Sequence, residues 1–130
     1  MTGKKVTDKY LSDKYTEGLT KVYLTGTITD VSTAGQIYIA TPFGGTLTGI
    51  TTVLNGVITT GDAALTAKIG GTAVTGGAIT IANSGSAAGI VDTATPTAAR
   101  TVVAGSSVEI ETDGGSTNAV SVFVTLEITI

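Results

Sequence analysis

The last eleven residues constrain this chain more than any other stretch. Val120, Val122, Val124, Leu126, Ile128 and Ile130 form an unbroken even-numbered apolar row. Ser121, Thr125, Glu127 and Thr129 fill the odd positions, together with Phe123. Successive side chains of a strand point to opposite faces. Strict alternation is therefore a half-buried strand, because a helix repeats its apolar stripe every three to four residues. The pattern predicts a long central strand that fixes residue 130 in a sheet.

Composition extends that reading to the whole chain. Of 130 residues, 27 are Thr and 18 are Gly, and there is no Trp, His or Cys. Thr is β-branched and suits the half-exposed face of a strand, while Gly serves the turns. The helix formers Glu, Lys, Gln and Arg are scarce after residue 21. The expected class is all-β. At this length one domain buries roughly 65–70% of its unfolded surface, so neither disulfides nor metal staples are needed. The start is polar and basic with no apolar stretch behind it, and no run reaches the 18 apolar residues of a membrane span.

Charge is unevenly divided. Residues 1–21 hold Lys4, Lys5, Lys9, Lys14 and Lys21 against Asp8, Asp13 and Glu17, a net of +2; the remainder, with Lys68 and Arg100 against seven carboxylates, is −5. An acidic body lacks the basic face that nucleic acid requires, and the N-terminal lysines are interleaved with acids.

Two regions follow from the pattern. Residues 1–19 are charged, with Tyr10, Leu11, Tyr15 and Leu19 at spacings that fit no helical stripe; they read as an extended N-terminal arm that orders along a partner. Residues 20–130 read as an antiparallel β-sandwich or jelly roll of eight or nine short strands. Expected strands are Lys21–Val31, Gln36–Thr41, Thr46–Leu54, Ala63–Ile69, Thr72–Thr75 continued by Ala78–Ala82, Arg100–Ala104, Ser106–Thr112 and the C-terminal one. Asn55-Gly56 signals a two-residue hairpin with a return strand at Val57–Thr60. Four Gly-Gly pairs mark breaks, and Thr95-Pro96 predicts a capped helical turn through Ala99.

The chemistry available is narrow. Without His or Cys there is no imidazole base, no thiol nucleophile and little to bind a transition metal. Glu109 and Glu111 share one strand face about 7 Å apart, but no aromatic lies between Phe43 and Phe123 to form a sugar platform. They read as the solvated side of a strand whose Val108 and Ile110 point inward. Asp113-Gly114-Gly115-Ser116-Thr117-Asn118 offers hard oxygens but lacks the carboxylate spacing of a calcium loop; it reads as a hairpin turn, and Asp62 as a turn carboxylate. The Gly pairs precede no helix, so they cradle no phosphate. No catalytic residue, cofactor or metal is expected. Surface recognition is left. Tyr23, Tyr38 and Phe123 each stand on the polar side of their strand, where they either lie under a neighbouring element or anchor an interface.

The stretch Thr46–Ala82, together with Ala94–Ala99 and Ala104–Ala119, resembles small head-decoration, or cement, proteins of tailed bacteriophages. The resemblance covers about residues 36–130 and leaves out the arm. It implies a structural virion protein, made in the host cytoplasm, that sits on the outer capsid surface. It also implies a homotrimer clamping major capsid subunits, and it transfers no site residue. The candidate contacts come from the sequence reading itself: Tyr10, Leu11 and Tyr15 of the arm, with Tyr23, Tyr38 and Phe123. The alternative is a receptor- or carbohydrate-binding module of a phage tail or bacterial surface.

Overall fold

A computed structural model describes residues 20–130 as nine strands, with no helix among those residues. In chain order they are β1 (Lys21–Ile28), β2 (Gly35–Thr41), β3 (Gly45–Leu54), β4 (Ala63–Ile69), β5 (Thr72–Ile81), β6 (Val91–Ala94), β7 (Thr101–Val102), β8 (Ser106–Thr112) and β9 (Val122–Thr129). The expected arm, with Tyr10, Leu11 and Tyr15, lies outside the described residues.

The C-terminal alternation does what it requires. β9 lies between β1 and β3, and its Val122, Val124, Leu126 and Ile128 are almost wholly buried. Burying each such side chain contributes roughly 1.5–3 kcal/mol. The first sheet runs β1-β9-β3-β6, with β7 also pairing with β3; the second runs β2-β8-β4-β5. Every pairing is antiparallel. The nested pairs β1:β9, β2:β8, β3:β6 and β4:β5 describe one long hairpin rolled over itself, the jelly roll. Val108 and Ile110 of β8, Leu65 and Ala67 of β4, and Ile79 and Ile81 of β5 complete a single core between the sheets.

Several expectations change at the connections. The first strand stops at Ile28, because Asp30 turns the chain: its Oδ1 accepts hydrogen bonds from the Ser32 amide at 2.8 Å and the Ser32 hydroxyl at 2.5 Å. Asn55-Gly56 makes no hairpin, and Val57–Thr60 is not a strand. Both edges of β3 are already occupied, one by β9 and the other by β6 and β7, so no partner edge remains for a return strand. The chain crosses to the second sheet instead. Asp113–Asn118 likewise spans between sheets, since β8 and β9 belong to different ones.

Two Gly pairs behave differently. Gly70 and Gly71 have φ of 59° and 81°, the two left-handed residues of a tight hairpin between β4 and β5. Gly76-Gly77 does not end a strand: β5 runs through it with a bulge opposite Ala67. The bulge frees Thr75, whose amide and carbonyl pair with Ala98 O at 3.0 Å and Thr97 N at 2.8 Å. That pairing keeps residues 95–98 out of the expected helical turn, and the chain then bends at Ala99, whose φ is 51°. The stretch 83–99 also contains β6, which its mixed composition concealed. Arg100–Ala104 shrinks to the two residues of β7.

Candidate docking surfaces

Strand register writes the outer face of the first sheet as rows of side chains. One row is all threonine: Thr25, Thr125, Thr51 and Thr93, from β1, β9, β3 and β6. The neighbouring row is Thr27, Phe123, Val53 and Val91. Phe123 is 46% exposed and Val91 57%, so an apolar strip crosses three adjacent strands in water. Cross-strand neighbours lie about 5 Å apart, close enough to act as one surface.

Tyr23 marks the other end of this face. It stands opposite Glu127, and its hydroxyl donates to Glu127 Oε2 at 3.3 Å. Glu127 Oε1 also takes the Thr48 hydroxyl at 2.7 Å and lies 3.4 Å from Lys21 Nζ. The Thr48 hydrogen bond, with Lys21 and Tyr23 adding to it, holds the Glu127 carboxyl below its ordinary range. This cluster fixes the Tyr23 hydroxyl and leaves the ring 60% exposed.

Tyr38 lies on the outer face of the second sheet, opposite Glu109 and 62% exposed. Beside it a cleft of about 300 Å³ is lined by Tyr38, Lys68, Ser106, Ser107 and Glu109. Lys68 stands opposite Glu109, and its Nζ reaches the diagonal neighbour Glu111 at 2.9 Å. The Glu111 contact comes first among the causes that raise the Lys68 ammonium above its ordinary value. Glu109 and Glu111 therefore stand on the polar side of β8, with Val108 and Ile110 buried behind them, as expected.

Tyr23, Tyr38 and Phe123 are all exposed, and among the described residues no neighbouring element covers them. They do not share a surface: Tyr23 and Phe123 face outward from one sheet, Tyr38 from the other. The turn carboxylates are structural. Asp113 Oδ1 accepts the Ala64 and Gly115 amides at 3.1 and 3.0 Å, and Asp62 Oδ1 accepts the Asn83 amide at 2.9 Å. Among the described residues no group of three or more His, Cys, Asp or Glu could hold a metal ion.

Further exposed apolar residues lie at the ends of the sandwich: Val57 and Ile90 near Phe123, and Phe43, Val103 and Ile130 at the far end. Sequence reasoning put Ile130 on the buried row of the last strand, but β9 ends at Thr129 and leaves it exposed; the other four it passed over as exposed residues. Phe43, between Pro42 and Gly44-Gly45, carried one available signal, a large apolar residue in a turn.

No protein-family model matches the chain, and no curated protein matches its sequence. Solved structures do share its fold, two phage capsid chains among them. One is a chain of the cyanophage Pam1 capsid asymmetric unit, with a TM-score of 0.58 and 18% identity, covering 85% of this chain and 84% of that one. The other belongs to the acid-stable capsid structure of Helicobacter pylori bacteriophage KHP30, with a TM-score of 0.56 and 12% identity over 85% and 87%. What the three chains share is a jelly-roll sandwich.

Proposed function

We propose that this chain is a non-enzymatic structural protein of a phage virion, a decoration protein that binds the outer surface of the capsid and braces contacts between major capsid subunits. One observation carries the reading: an apolar strip, Phe123-Val53-Val91, lies in water on a fold shared with chains of two phage capsid structures. An exposed apolar strip framed by threonines suits a protein surface better than a small substrate. Residues 1–19 add Tyr10, Leu11 and Tyr15 as a second contact, and Tyr23, on the same sheet as Phe123, serves as a further anchor. Self-association into a trimer, repeated over a capsid lattice, lets individually weak contacts sum through avidity.

Purified protein added to capsids that lack it is expected to bind saturably and to raise the temperature at which the capsids rupture. Absence of saturable binding discards the reading. Deleting residues 1–19 is expected to lower occupancy, and unchanged occupancy removes the arm from the mechanism.

The cleft beside Tyr38 favours one other reading, a carbohydrate-binding module, because an aromatic flanked by Glu109, Ser106 and Ser107 is a plausible sugar platform. A glycan array separates the two. Saccharide binding lost in Tyr38→Ala supports the module, and silence supports decoration.

A further inference from the structure

The two seams of the sandwich are built differently. On one side β6 and β5 meet, and both edges are blunted. β6 has four residues, and Asp92 stands in register with the buried Thr52, on the core-facing side, with Oδ2 lacking a hydrogen-bond partner among the described residues. β5 is bulged and bridged by Thr97 and Ala98. A short edge, an inward charge and a bulge each prevent strand addition.

On the other side β1 and β2 lie together, and neither carries such a device. They have eight and seven residues, contain no Pro, and run in register without a bulge. β1 pairs only with β9, and β2 only with β8, among the described residues. Their outward amides and carbonyls form a ready template for another strand.

A shallow groove follows this seam. One part, of about 430 Å³, is lined by Leu24–Thr27 and Ile37–Ala40; the next, of about 300 Å³, by Ile28–Asp30, Thr33–Ile37 and Thr112. Its floor is apolar. Gly26 lets Ile37 and Ile39 lie directly on the β1 backbone, and an added Cβ would sit 2.9 Å from Ile39 Cδ1. Leu24 and Ile37 remain half-buried there. Thr112 is 3% exposed, and its hydroxyl has no hydrogen-bond partner among the described residues. The groove holds a single charge, the Asp30 carboxylate at the end where β1 stops.

We infer that the free edge of β1 accepts an extended peptide segment of a partner protein, apolar at every second position and cationic at its N-terminal end. From Leu24 to Asp30 the groove spans about 20 Å, which fits roughly six or seven residues. Every other pairing in the molecule is antiparallel, so an antiparallel guest brings its first residue to Asp30. Alternate apolar side chains then cover Leu24 and Ile37, and their polar neighbours face water. The inference does not depend on the capsid reading, since the edge selects its guest by hydrogen bonding and charge.

The test is amide hydrogen exchange on the full chain with a synthetic, N-acetylated peptide Lys-Thr-Val-Thr-Val-Thr-Val, and with its counterpart carrying Glu for Lys. The expected result is slower exchange in β1 and none in β5 or β6, with the Lys peptide bound about tenfold more tightly. Asp30→Asn is expected to erase that preference, and the peptide exchange tests the same charge without touching the fold. No slowing at millimolar peptide, slowing at β5 or β6, or equal affinity for both peptides overturns the inference. So does a β1 edge already protected in the protein alone: concentration-dependent protection assigns it to a second copy, and concentration-independent protection to residues 1–19.

Discussion

The two sheets share one core but present opposite outer faces. The first sheet shows threonines and an apolar strip, with its charge gathered in one cluster around Glu127. The second shows Lys68, Glu109 and Glu111 in the middle of its outer face, with Tyr38 beside them. Inner positions answer to burial and are alike in both sheets. Outer positions answer to what lies outside, and there the sheets diverge. On the proposed reading the first sheet is the docking side and the second is kept in water.

The strongest way to break the comparison is to remove core volume from each sheet. Leu126→Ala in the first and Ile110→Ala in the second each leave a cavity at a site essentially closed to solvent, at a cost of about 2–5 kcal/mol. Urea denaturation should show one transition in both variants, shifted to lower denaturant. Two transitions would mean that the sheets do not share a core.

Next come the outer faces themselves. Phe123→Ala is expected to leave stability within about 0.5 kcal/mol of the parent. Its cost should fall on capsid binding, about tenfold or more if the residue is an anchor. Tyr38→Ala, measured alongside by co-sedimentation, should change binding little. The reverse order would move the docking side to the second sheet.

A smaller effect belongs to the β4–β5 hairpin. Gly70→Ala places a Cβ at φ of 59°, which costs roughly 1 kcal/mol, readable as a lowered Tm. Nothing lies within 4 Å of the added carbon, so any loss reflects backbone strain alone.

The smallest expected effects are electrostatic, and they have opposite signs in the two sheets. Glu127 is held below its ordinary value, first by Thr48, so the fold favours its ionised form. Its contribution is full above the unfolded value of 4.5 and is lost as pH falls through the folded one. Lys68 is raised, first by its hydrogen bond to Glu111. Its contribution is full below the unfolded value of 10.5 and is lost as pH rises through the folded one. Thr48→Val should therefore move the Glu127 titration upward by carboxylate NMR and weaken the fold above pH 4.5, a deficit that vanishes as pH falls through the folded value. Glu111→Gln should move the Lys68 titration downward and weaken the fold below pH 10.5, a deficit that vanishes at higher pH.

Much of this molecule was legible in its sequence, for a reason visible in β9. Alternation is a local property, and the first turn of a strand already shows which side must be buried. Seven of the nine strands stand close to their expected places, including the inward Val108 and Ile110 beside the outward Glu109 and Glu111. β6 did not announce itself, because its Val-Asp-Thr-Ala puts an acid on the core-facing side. The candidate site was half legible. Tyr23, Tyr38 and Phe123 were found as aromatics on polar faces, but their division between two sheets was not.

By itself, then, the sequence determined where seven of the strands run and which face of each is buried, because both follow from chemistry repeated every second residue. Only the tertiary structure decided which strand pairs with which. The Asn55-Gly56 turn was overruled because β3 had already given both edges to distant partners. Edge hydrogen bonds are identical along every backbone, so their allocation rests on the fit of the whole core. That allocation aligns Phe123, Val53 and Val91 in one row and, among the described residues, leaves one edge of β1 unpaired.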